Sequence, residues 1–128
     1  MARVLVIDDD EESRTLMKAM LTGVGHQVEE ALDGRDGLRM FEERPADLVL
    51  TDINMPGMDG HEVIVAFRKL HAAVPIIAIS GGGSMPKDEL LSSAAALGAV
   101  EVIMKPFEFR QLVGAVERAL KGRADPVA

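Results

Sequence analysis

"LVLTDINMPGMDG", residues 48–60, climbs through a short apolar run to Asp52 and then breaks into Asn54, Pro56, Gly57 and a second acid, Asp59. A run this short, bounded by turn residues, suits a strand buried on both faces, with Asp52 at its carboxyl end. Asp59 followed by Glu62 has the spacing of a capping box, so a helix is expected to begin just beyond the quoted stretch. Asp59 is assigned to that cap. Asp52, a lone carboxylate at a strand exit, is left to be explained.

The same grammar recurs on both sides. Residues 4–7, 76–79 and 102–104 form further apolar runs rich in β-branched side chains, with a weaker one around 28–32. Between them, Leu16, Met17, Met20, Leu21 and Val24 repeat at helical spacing, as do Leu38 and Phe41, then Val63, Ile64, Phe67 and Leu70, and finally Phe109, Leu112, Val113, Val116 and Leu120. Leu90, Leu91, Ala94 and Leu97 make a weaker stripe. Most of the eight Met residues fall on these stripes or in strands and read as core filler. Gly25 and Gly98 stand where helices should end. Five strand and helix alternations imply an α/β fold, a parallel sheet with right-handed crossovers and helices on both faces.

Composition narrows the function. A chain of 128 residues that is 48% hydrophobic suits one domain. A formal charge of −7, with no Lys/Arg block longer than a pair, leaves nothing to neutralise a phosphate backbone, so nucleic acid is not expected as a direct partner. With no Cys there is neither a disulfide frame nor a thiolate metal site. The opening "MARVLVIDDD" is too short in its apolar part for a signal peptide, and no segment approaches a membrane span. A cytoplasmic protein is expected.

In open α/β sheets the ligand site lies beyond the carboxyl ends of the strands. The first strand ends in Asp8 and Asp9, the third in Asp52, the fourth in Ser80 and the fifth in Lys105. If the first and third strands are neighbours, three carboxylates share one rim, and two charges ~4 Å apart repel by about 4 kcal/mol at an effective dielectric of 20. Either some of the acids are protonated or a cation sits among them. Hard oxygen ligands with no His or Cys nearby favour Mg²⁺. A carboxylate beside Mg²⁺ can attack phosphorus and become an acyl phosphate, while Lys105 supplies positive charge and the Ser80 hydroxyl a hydrogen bond.

With these residues in place, the chain resembles the receiver domain of two-component response regulators, of the single-domain CheY-like kind, over essentially its whole length. The resemblance rests on "VLVIDDDEESR", "LVLTDINMPGMDG", "PIIAIS" and "VIMKPF", four motifs in order. It implies a flavodoxin-like, doubly wound five-stranded parallel sheet of order 2-1-3-4-5 with five helices, a receiver domain over residues 1–121 and a short flexible tail over 122–128. Asp52 would take a phosphoryl group from a sensor histidine kinase or a histidine phosphotransfer protein. Asp9 and Asp52 would bind Mg²⁺ directly, Asp8 through water, and Asn54 through its main-chain oxygen. Lys105 and Ser80 would contact the phosphoryl group, and the Lys105–Pro106 bond would be cis. Displacement of Ser80 would bias the face of the fourth helix, fifth strand and fifth helix toward a downstream protein target.

Two features depart from the common pattern. Val102 stands where many receivers carry an aromatic switch residue, and "GGGSM" after Ser80 should make that loop mobile before phosphorylation.

Other chemistries fare worse. "SGGGSMPK" lacks the order of a P-loop, and Val65 stands where a second His would complete a zinc-protease motif after His61 and Glu62. A flavodoxin-like cofactor carrier is disfavoured by three successive acids after the first strand and by the absence of Trp and Tyr. A phosphohydrolase would need a second carboxylate where Asn54 stands. A receiver excised from a longer regulator or hybrid kinase and an unphosphorylated docking module remain as alternatives. His26 and His71, near turns, are expected to be solvated.

Overall fold

The structure, a computed structural model, describes residues 2–53, 60–71, 73–81 and 98–124. The described elements are β1 (Arg3–Ile7), α1 (Glu11–Gly23), β2 (Gln27–Ala31), α2 (Gly34–Glu43), β3 (Leu48–Asp52), α3 (Gly60–Leu70), β4 (Ile76–Ser80), β5 (Glu101–Met104) and α4 (Phe109–Ala124). The expected helix around Leu90 to Leu97, the loop from Gly82 onward and the Asp59 cap lie outside the described residues. The helix expected as the fifth is therefore α4 here.

The strands form one parallel sheet of order β2-β1-β3-β4-β5, as the sequence implied. Alternation along each strand feeds two cores. Leu5, Ile7, Val49, Ile76 and Ala78 meet Phe41, Val63, Ile64 and Phe67 on the side of α2 and α3. Val4, Val6, Leu50, Ile77 and Ile79 meet Met17, Leu21, Leu112 and Val116 on the side of α1 and α4. β3 and β4 are buried at every residue, because both faces are covered and both edges paired. β2, at the sheet's edge, is buried only at Ala31. Its Glu29 pairs with Arg3 and Arg44, and its Glu30 with Arg14 and Lys18.

Two local devices fix where the elements stop. α1 ends in a Schellman motif: His26 N–H donates to the Leu21 carbonyl and Gly25 N–H to that of Thr22, with Gly25 at φ 98°. α2 is capped by Asp33, whose carboxylate accepts the Asp36 N–H at 2.8 Å. α4 runs on to Ala124, so residues 122–124, read from the sequence as tail, are helical. A single interior glycine such as Gly122 costs a helix only about 1 kcal/mol and does not end it. Residues 125–128 lie outside the described residues.

His71 corrects the sequence reading. Its ring centroid lies 4.4 Å from that of Phe41 and 6.1 Å from that of Phe67, so it is partly buried against two aromatic side chains. His26 is half-buried as well, its Nδ1 accepting the Ala2 N–H at 3.2 Å.

Candidate functional site

Because every strand points the same way, Asp8, Asp52, Ser80 and Lys105 arrive at one edge of the sheet. Asp8 follows β1, and its N–H donates to Ala31 O across to β2. Asp52 closes β3 in register with Ile79, and Ile53 N–H donates to Ile79 O at 2.9 Å. Ser80 closes β4, and its carbonyl accepts the Lys105 N–H at 2.7 Å. Asp8, Asp52 and Ser80 are all buried and Asp9 is exposed.

Carboxylate oxygens of Asp8, Asp9 and Asp52 all lie within 4.8 Å of one another. Lys105 Nζ stands over the two buried ones, 3.1 Å from Asp8 Oδ2 and 3.5 Å from Asp52 Oδ2. Desolvation works to lower the lysine's pKa, but attraction to Asp52 and Asp8 outweighs it and leaves the pKa above 10.5. The ammonium is therefore charged at neutral pH. Three carboxylates against one ammonium still leave a surplus of negative charge among hard oxygen donors, a set that fits a divalent cation of the Mg²⁺ type. Asn54 lies outside the described residues. The Lys105–Pro106 bond is cis.

The sequence singled out Asp8, Asp9, Asp52 and Lys105, and the fold brings them together; Ser80 is tied to the lysine through the backbone. Two supporting side chains were not singled out. Arg14 Nη1 donates to Asp8 O at 2.7 Å, while its Nε lies 3.4 Å from Glu30. Ser13 Oγ accepts from Lys105 Nζ at 3.1 Å and donates to Asp10 Oδ2 at 2.8 Å. This bond is the chief reason the Asp10 pKa lies below 3.8. Asp10 stands at the N-cap of α1 but makes no side-chain cap bond to the helix backbone. The first turn of α1 is acidic, with Glu11 and Glu12 set at its positive end. No single-sequence signal marks Ser13 or Arg14, since both look like ordinary first-turn residues.

The sequence matches the family described as response regulator receiver domain over residues 4–117. This chain belongs to that family. The receiver domain is 35% identical over 117 residues to the transcriptional regulatory protein ZraR of Salmonella typhimurium, covering 91% of this chain and 26% of that protein. It is 36% identical over 121 residues to the transcriptional regulatory protein PrrA of Mycobacterium tuberculosis, covering 94% and 51%. The receiver domain thus spans between a quarter and half the length of these relatives. Among solved structures it superposes on the receiver domain of NtrX from Brucella abortus with a TM-score of 0.86 at 34% identity, covering 92% and 98% of the two chains. Chemotaxis protein CheY4 of Vibrio cholerae gives 0.84 at 30% identity, covering 93% and 98%. Among the described residues of this receiver domain, no helix is long and apolar enough to cross a membrane.

Proposed function

We propose that this receiver domain is a phosphorylation-dependent switch in which Asp52 accepts a phosphoryl group from a phosphohistidine on a sensor histidine kinase or histidine phosphotransfer protein. The observation that carries the reading is the placement of Lys105 Nζ against both Asp8 and Asp52 beside the exposed Asp9. Asp52 Oδ attacks phosphorus, the bond to the donor imidazole nitrogen breaks, and the electron pair leaves with that nitrogen, which is protonated from solvent. Asp8, Asp9, Asp52 and the main-chain oxygen of Asn54 would hold Mg²⁺, which when bound supplies positive charge to the transferring phosphoryl oxygens.

Lys105 would offer its charge to the same oxygens, and the Ser80 hydroxyl would donate to one of them. Burial of Asp52 keeps its nucleophilic oxygen out of bulk water and so raises the worth of each charge around it. A groove lined by Ser13, Leu16, Gly81, Lys105, Pro106 and Phe107 opens beside the lysine and gives the donor protein an apolar footing next to Asp52. Displacement of Ser80 toward the phosphoryl group would pass to β5 and α4, altering the surface a downstream protein reads. Val102 is partly buried against the core, so this output uses no aromatic rotamer at that position.

Incubation with a small acyl phosphate, with and without Mg²⁺, tests the reading. The wild-type chain should take one phosphoryl group, labile to acid, to alkali and to hydroxylamine, only with Mg²⁺, and Asp52→Asn should take none. Equal labelling of Asp52→Asn would show that another residue is the acceptor.

A further inference from the structure

Ser13 has no part in the chemistry above, yet its hydroxyl is placed as if it had. The Lys105 ammonium carries three N–H donors. Among the described residues, three acceptors surround it: Asp8 Oδ2 at 3.1 Å, Ser13 Oγ at 3.1 Å and Asp52 Oδ2 at 3.5 Å. Two of these are carboxylates that a divalent cation would also claim. Ser13 is the neutral one among the described residues and lies outside the acid cluster, so a cation would not compete for it.

Its orientation is fixed as well. An ionised carboxylate only accepts, so the Ser13 proton points to Asp10 Oδ2 at 2.8 Å and the oxygen's lone pairs are left facing the lysine. Asp10 is held in turn, its N–H donating to Asp8 Oδ1 at 2.9 Å. We propose that Ser13 is a positioning residue for Lys105: its hydroxyl, set by Asp10, anchors the ammonium beside Asp52 while the acids are engaged with a cation. The inference rests on the phosphoacceptor reading and adds to it a first-turn side chain of α1.

The test compares the whole chain with Ser13→Ala and Ser13→Thr by two measurements. With saturating Mg²⁺ and no phosphoryl donor, the rate at which Lys105 reacts with an amine-selective acetylating ester is followed by peptide mass, with Lys18 and Lys121 as internal references. Loss of one hydrogen bond to a charged group should make Lys105 of Ser13→Ala react about three- to ten-fold faster relative to the references, and Ser13→Thr should restore the wild-type ratio. With saturating Mg²⁺ and a series of small acyl phosphate concentrations, Ser13→Ala should lower the maximal labelling rate by about three- to ten-fold without changing the half-saturating donor or Mg²⁺ concentration. Ser13→Thr should recover it.

An unchanged Lys105 reactivity ratio in Ser13→Ala overturns the anchor, and so does an unchanged maximal rate. A fall in rate that Ser13→Thr does not rescue overturns it too, since the hydroxyl would then be irrelevant. Failure of the wild-type chain to take label overturns the phosphoacceptor reading, and it is recognisable as such because the lysine ratio is measured without a phosphoryl donor.

Discussion

Single side chains at the site are set against one another by charge. Asp9 is exposed and lacks the lysine contact that Asp8 and Asp52 share, so in metal-free protein it adds repulsion with little in return. Solvent screens that repulsion, and Asp9→Asn should raise metal-free stability by only a few tenths to about 1 kcal/mol. Mg²⁺ should raise the thermal midpoint of the wild-type chain and the same substitution should abolish that rise, because a ligand that binds only the folded state stabilises it increasingly with occupancy. Scanning calorimetry with and without Mg²⁺ reads both effects. Lys105 gives the pH signature. A pKa raised on folding means that its contribution is fully present below 10.5 and is lost as pH climbs through the higher folded value. In chelator, the urea midpoint of the wild-type chain should therefore fall above about pH 10.5 more steeply than that of Lys105→Gln. Parallel curves would contradict the pairing. The acids and the lysine were legible because each stands where an apolar run stops. Ser13 was not, since its partner is 92 positions away and nothing local distinguishes it.

Helices carry their own predictions. α2 lies so close to β1 that a Cβ on Gly37 would stand 2.4 Å from Ile7 Cδ1 and 2.8 Å from Ile7 Cγ1. Ile7 is fully buried and has nowhere to swing. Gly37→Ala gains about 1 kcal/mol of helix propensity but overpacks the contact, so a net loss of about 1–2 kcal/mol is expected in urea unfolding. α1 presents Leu16, 48% exposed, to the groove beside Lys105. Leu16→Glu should slow phosphoryl uptake from a kinase or phosphotransfer protein by about ten-fold or more and leave uptake from a small acyl phosphate unchanged, as a lost docking contact would. Periodicity found these helices because each buries one stripe. It found β2 only weakly because that strand is an edge, with Glu29 and Glu30 kept for ion pairs, and it misjudged His71, whose neighbours Phe41 and Phe67 come from α2 and α3.

At the scale of the molecule, the parallel sheet separates chemistry from support. The acids and Lys105 occupy the carboxyl edge, while at the amino edge Arg68 of α3 donates Nε and Nη2 to Gly98 O at 3.1 and 2.8 Å and Nη1 to Val74 O. Burial holds the Arg68 pKa below its ordinary value. Arg68→Ala should lower stability by about 1–3 kcal/mol, since two backbone carbonyls lose their donors, without changing the initial rate of Asp52 labelling. Unfolding and labelling measured on the same preparation separate the two edges. Strand order and the site's location followed from alternation of elements and from what ends each strand; the fit of one element to another did not, because it depends on pairs such as Gly37 and Ile7 that meet only once the chain is folded.

The backbone bond from Lys105 N–H to Ser80 O yokes two neighbouring strand tips. A tug on the serine's main chain would tow the lysine's or break that bond, so a phosphoryl group at Asp52, if it pulled on Ser80, would be felt by two strands together.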